Sequence, residues 1–118
     1  MKNVREKYLE LCLRLDAADM VTNTQKYNRA MRSLIKVDEY LDENREEAAF
    51  LVELMAHENY SVKGHTAARC YDWEMNPKQA LAVMEEVFIN APIGNLRAGI
   101  GIKLGIISGR IVLPPSKK

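Results

Sequence analysis

The sequence has few cysteines, few histidines and no surplus of either charge. Cys12 and Cys70 are its only cysteines. Both fall at apolar positions of helical stretches and lack metal-ligand spacing. They read as buried thiols of a reducing compartment rather than as a disulfide. Lys and Arg number 17 against 16 Asp and Glu, a net charge of +1. That balance gives no strong overall attraction to nucleic acid or to an anionic membrane, and only a local patch could supply one. No apolar run approaches the roughly 20 residues of a membrane span. The longest, 98–107, is short and interrupted by Lys103. The N-terminus, Met1-Lys2-Asn3-Val4-Arg5, is charged and has no apolar signal region. A cytoplasmic protein is the expectation.

Catalytic groupings are scarce too. The only histidines are His57 and His65. A nucleophile needs a base within reach and a group that orients the base. Cys70 follows His65 by five residues, which on a helix points it roughly the opposite way. Asp72 shares a side with His65, but Arg69 stands between them. The arrangement reads as a charged strip. No enzyme, no catalytic residue, no metal set and no cofactor are expected.

What the sequence does have is helical pattern. Hydrophobic residues make up 47% and charged residues 28%, ordinary for a soluble globular protein. One domain over 1–118 is the default. A domain this size buries roughly two-thirds of its unfolded surface, so it needs no metal or disulfide staple. The first helix spans about 3–18, with Val4, Tyr8, Leu11, Leu15 and Ala18 on one face and Leu9, Cys12 and Leu13 widening it. The second starts near Thr22, where Thr22 and Gln25 have capping-box spacing. Its apolar stripe is Tyr27, Met31, Leu34, Val37 and Leu41. Lys26, Arg29, Arg32 and Lys36 lie mostly opposite, as a solvated face in the first instance and a phosphate-binding surface in the second. The third covers about 45–57, with Phe50, Leu51, Leu54 and Met55 inward.

The fourth helix, around 60–73, organises the rest. At 100° per residue, Val62, Thr66, Cys70 and Trp73 share a quadrant that Ala67 and Tyr71 extend, and this is the expected core face. Ser61, His65, Ala68, Arg69 and Asp72 fall on the far side. Gly64 costs about 1 kcal/mol in a helix interior, so another helix should pass close to it. Asn76-Pro77 punctuates the chain as N-cap and first helical residue. The fifth helix runs to about Asn90, with Leu81, Met84, Val87 and Phe88 inward. The sixth is capped by Asn95 and stops at Ser108-Gly109. Residues 113–118 are expected to be a flexible tail. The result is all-α, about six helices in three antiparallel pairs.

The fourth and sixth helices repeat each other at a shift of 34 residues. Val62 meets Leu96, Lys63 meets Arg97, Gly64 meets Ala98, Arg69 meets Lys103 and Cys70 meets Leu104. A period of about 34 to 47 residues belongs to helical-pair solenoids. The Val62-Lys63-x-x-x-Ala67-Ala68 arrangement resembles the second helix of a HEAT repeat. The layout from Tyr27-Asn28-Arg29 through Leu51–Asn59 to Asn76-Pro77-Lys78-Gln79-Ala80-Leu81 is similar to that of short bacterial HEAT-like proteins of uncharacterised function. The resemblance implies a short right-handed α–α superhelix of HEAT or armadillo type. It departs from that family at the Gly- and Ile-rich sixth helix.

Solenoids present their second helices as an extended binding face. Here that face holds Ser61, His65, Arg69 and Asp72 on the fourth helix, with Ile102, Lys103 and Ile106 on the sixth. Either the tail covers the isoleucines or they contact a partner or a second copy, which would make a homodimer through the C-terminal helix. The expected function is a non-enzymatic protein-interaction module, in one version an immunity or antitoxin protein that blocks a toxin. The alternative joins Lys26, Arg29, Arg32 and Lys36 to Lys63, Arg69, Arg97 and Lys103 in a groove for nucleic acid.

Overall fold

The structure, a computed structural model, describes residues 2–18 and 22–112. Six α-helices and no strand are found among them: α1 Val4–Ala17, α2 Thr24–Glu43, α3 Phe50–Leu54, α4 Tyr60–Asp72, α5 Pro77–Asn90 and α6 Asn95–Ile107. A single 3₁₀ turn, Arg45–Glu47, joins α2 to α3. The expected tail lies outside the described residues. None of the described helices is long and apolar enough to cross a membrane.

α4 is the hub. It packs against α1, α3, α5 and α6, and most extensively against α5. Its start is fixed by Asn59, whose side chain accepts a hydrogen bond from the Val62 amide at 3.1 Å, an N-cap contact. Asn59 also donates to Asp16 of α1 at 3.1 Å, so the cap ties two helices together. Val62, Thr66, Ala67 and Cys70 are fully buried, as the helical wheel predicts. Thr66 can sit there because its hydroxyl donates to the Val62 carbonyl at 2.8 Å, leaving no unpaired polar atom. Gly64 makes room for α6: a Cβ there would lie 2.9 Å from Leu96 Cδ1. Ile100 and Leu104 of α6 are buried, as are Thr66 and Cys70 34 residues earlier, whereas Asn95 and Ala98 are exposed where Ser61 and Gly64 are buried. Both cysteines are free and buried.

α4 ends in a Schellman arrangement. The Met75 amide reaches the Cys70 carbonyl at 2.8 Å and the Glu74 amide reaches Tyr71 at 3.2 Å. This places Glu74 at φ 56°, where glycine is the usual residue. A non-glycine side chain there is strained by about 1 kcal/mol. Glu74→Gly is therefore expected to raise the unfolding free energy by about 0.5–1 kcal/mol. Urea denaturation would detect it, and a loss of stability would mean that the Glu74 side chain holds a contact that offsets the strain.

Several boundaries differ from the sequence reading. α2 begins at Thr24, with Asn23 rather than Thr22 in the cap position. The third helix is broken into the 3₁₀ turn and the short α3, because the acidic link Glu46-Glu47 turns before Phe50. Gly94, not Asn95, holds the cap position of α6, and Asn95 is its first helical residue. On α5 the buried residues are Ala80, Met84 and Val87. Phe88 is left 40% exposed, its ring lying over Gly101 of α6, where a Cβ would come within 2.6 Å of it. Leu13 is likewise exposed. Trp73, expected in the core, is only half-buried. Its ring lies at the surface with the Arg45 guanidinium 4.4 Å from its centroid, a cation–π contact.

Candidate partner-binding groove

One face of α4 stays uncovered between α2 and α6. Tyr60, Gly64 and Ala68 form the floor of a groove of about 560 Å³. Leu15, Tyr27 and Met31 line one side, and Ile93, Leu96 and Ile100 line the other. The small residue at 68 leaves the groove open, and Gly64 lets Leu96 of α6 close on its edge. A second pocket of about 360 Å³ continues it between α2 and α4. The two share Met31, His65 and Ala68. The second pocket is polar at its base, where Tyr8 of α1, Asp38 of α2, and His65 and Arg69 of α4 meet.

The structure sorts the expected binding residues. His65 lies in the floor, at the junction of the two pockets. Arg69 pairs with Asp72 at 2.9 Å, and Lys103 pairs with the same carboxylate at 2.6 Å. The two bases thus share one acid and tie α4 to α6. Ser61 is a correction. It is 2% exposed, and its hydroxyl donates to the Cys12 carbonyl at 2.6 Å. The passage of α1 across the start of α4 covers a position that the helical wheel of α4 alone leaves outside. Ile102 and Ile106 are exposed, at 54% and 38%.

The basic residues do not form one groove. Lys26, Arg29, Arg32 and Lys36 are exposed on α2. Lys26 and Arg29 line a cleft of about 420 Å³ together with Arg14 of α1. Lys63 instead pairs with Glu86 of α5 at 2.7 Å, its side chain only 12% exposed. Arg97 donates to the Ala91 carbonyl at 3.4 Å and lies 5.5 Å from the centre of the Phe88 ring. Lys63 and Arg97 are thus held on the α5 side of the molecule.

Two residues of the polar pocket escaped the sequence reading. The Tyr8 hydroxyl and Asp38 Oδ1 are both buried, and the hydroxyl and the carboxylate interact with each other. Tyr8 itself is fully buried, edge-on to Phe50 with ring centroids 6.0 Å apart. The signal for Asp38 was present: it stands beside Val37 between Leu34 and Leu41, a carboxylate at the margin of an apolar stripe. Burial pushes its carboxyl up to about 6, against the pull of Arg69 and the Tyr8 hydroxyl and with a further push from Asp72. Burial, aided by Asp38, holds the Tyr8 hydroxyl well above its ordinary value. Burial, with Arg69 close by, lowers His65 to about 4, so its ring is neutral near pH 7. Among the described residues no cluster could hold a metal ion. The thiols are also poor nucleophiles there. Burial raises Cys12 to about 12 and Cys70 to about 11.

These shifts have a sign. The folded value of Asp38 lies above 3.8, so its protonation favours the fold; that contribution is complete below 3.8 and gone once pH rises through about 6. His65 works in the opposite sense: its folded value lies below 6.5, so stability is lost as pH falls from 6.5 toward 4. Comparing Asp38→Asn with the parent isolates the first effect. The substitution is expected to stabilise by about 1 kcal/mol at pH 7.5, with the gain shrinking at pH 4.5. Chemical denaturation at both pH values tests this. A less stable variant at pH 7.5 would mean that the carboxylate is compensated within the fold.

No family model matches the chain, and neither the curated proteins nor the solved structures contain a match.

Proposed function

We propose that the chain is a non-enzymatic interaction module that holds a segment of another protein in the groove along α4. The observation that carries this reading is the groove itself. About 560 Å³ of largely apolar cleft runs on into a polar pocket, and open clefts of this kind are where proteins take up ligands. An apolar rim residue, Ile93, is 92% exposed beside it. Such exposure is in keeping with a surface that a partner covers.

A HEAT-like superhelix accounts for the placement. In that arrangement α1 with α2, α3 with α4, and α5 with α6 form stacked pairs, and α2, α4 and α6 line one face. The packing of α1 with α2, of α3 with α4 and of α5 with α6 supports it, with the most extensive packing, α4 on α5, joining two pairs. An immunity or antitoxin protein that occupies a toxin's cleft is the concrete version, by analogy with other small helical proteins. The second reading is nucleic-acid binding, favoured only by the cleft of Arg14, Lys26 and Arg29. It requires binding to a mixed DNA or RNA pool that weakens steeply with salt.

The test is photo-crosslinking. A benzophenone side chain at position 93, on the exposed rim of the groove, is exposed to an extract of the source organism. A second is placed at Glu85, on the exposed side of α5. The reading predicts crosslinks to one protein segment from position 93 and none to that segment from position 85. Equal labelling from both, or none from position 93, would refute it.

A further inference from the structure

The outward side of α2 carries a charge order that its own chain leaves unmet. Lys26, Arg29, Arg32 and Lys36 all precede Asp38, Glu39, Asp42 and Glu43. The helix has no acid in its first turn and no base in its last, the reverse of what the helix dipole favours. At the i, i+3 and i, i+4 spacings that bring side chains together, like stands beside like: Arg29 with Arg32, Arg32 with Lys36, and Glu39 with both Asp42 and Glu43. The one opposite pair at such a spacing in α2, Lys36 and Glu39, forms no ion pair, and neither do Arg29, Arg32 and Glu43 among the described residues. Asp42 is met by Arg45. Arg29, Arg32, Lys36, Glu39, Asp42 and Glu43 are all exposed, because α2 packs on α1 through its other side, where Ala30, Leu34, Val37 and Leu41 are buried. Near the middle of the outward side, Ile35 is 47% exposed.

We propose that this side of α2 is a self-association surface, which takes the α2 of a second copy of the chain in antiparallel orientation. Charge complementarity selects this occupant. With a two-fold axis between Ile35 and Lys36, Arg32 of each copy stands opposite Glu39 of the other, since Arg32 lies three residues before Ile35 and Glu39 three after Lys36. Arg29 and Asp42 are matched in the same way, six residues out on either side. At the axis, Ile35 lies against the alkyl stem of the other copy's Lys36. The two helix dipoles then oppose each other, and each basic half meets an acidic half. Nucleic acid does not fit the same side, because Glu39, Asp42 and Glu43 repel phosphate along half of it. The surface is a single helix face about 30 Å long, much smaller than a standard interface, so the dimer is a weak one. The larger groove, whose α2 residues are Tyr27 and Met31, takes no part in it.

Sedimentation equilibrium of the full chain tests this. In about 20 mM salt it should show a reversible monomer–dimer equilibrium with Kd on the order of 0.1 mM, weakened about tenfold in about 300 mM salt. Arg32→Glu should weaken self-association by about tenfold or more, because it sets two carboxylates against each other, and Glu39→Arg should do the same with two bases. Mixing these two single variants should restore the parental affinity within about threefold, as should both changes in one chain, since the pair is then matched again with its signs exchanged. Both positions are exposed, so the variants are expected to fold, and recovery in the mixture shows that they have. A chain that stays monomeric in low salt, or that binds a mixed DNA pool through Arg29 and Arg32 instead, overturns the proposal. So do a dimer indifferent to Arg32→Glu, a dimer lost instead in Ile102→Ser on α6, and two single variants that do not recover on mixing.

Discussion

Ala67→Leu is expected to destabilise the fold by about 1–3 kcal/mol. Ala67 is fully buried on α4, in the helix that touches α1, α3, α5 and α6. Its neighbours in the core include Val62, Cys70, Met84 and Val87, all with no measurable exposure. Three added carbons have no void to enter, because protein interiors are packed at crystal density. Either leucine leaves its preferred rotamer or α5 moves outward. Moving α5 would also draw away Val87, which lies against the position where a Gly64 Cβ would stand, at 3.5 Å. Thermal and urea denaturation measure the effect. Unchanged stability would mean that α4 is not the tightly packed hub described above.

One residue further on, the same kind of change should leave folding almost untouched and remove binding. Ala68 lies about 100° round the helix from Ala67, and it lines both pockets. Ala68→Trp places an indole over the groove floor, in open space rather than in the core. Stability should change by less than about 1 kcal/mol. Affinity for the segment held in the groove should fall by about 100-fold, about 2.7 kcal/mol, because the segment and the indole cannot occupy the same volume. A binding titration with the crosslinked segment, compared with Ile102→Ser on the exposed side of α6, separates the two surfaces. A large loss in Ile102→Ser and none in Ala68→Trp would move the interface to α6.

Much of this was readable from residue order alone. The helical periodicity of Tyr8, Leu11 and Leu15, of Leu34, Val37 and Leu41, and of Val62, Thr66 and Cys70 reports the cores of α1, α2 and α4, since one apolar face per helix must be buried. Asn76-Pro77 and Gly109 mark helix ends through local backbone chemistry, and the structure places them there. Gly64 foretells the close approach of a neighbour, which proves to be Leu96. What could not be read depends on which helix lies over which. Ser61 is buried because α1 crosses the start of α4, and no wheel of α4 contains α1. The division of the bases between α2 and α5 follows from the same cause, since Lys63 finds Glu86 only once α5 has docked. Asp38 was passed over because a helix wheel shows a carboxylate at the edge of an apolar stripe as exposed. Only the approach of α1 and α4 reveals that its Oδ1 and the Tyr8 hydroxyl share a pocket.

The central claim is that the α4 groove holds a partner segment. Its most direct measurement is a methyl and amide NMR titration of the chain with the crosslinked segment made as a synthetic peptide. The account predicts saturable shifts at Met31, Ala68, Ile93 and Ile100. Shifts confined to Ile102 and Ile106 on α6, or to Lys26, Arg29, Arg32 and Lys36 on α2, with the groove methyls unmoved, would contradict it.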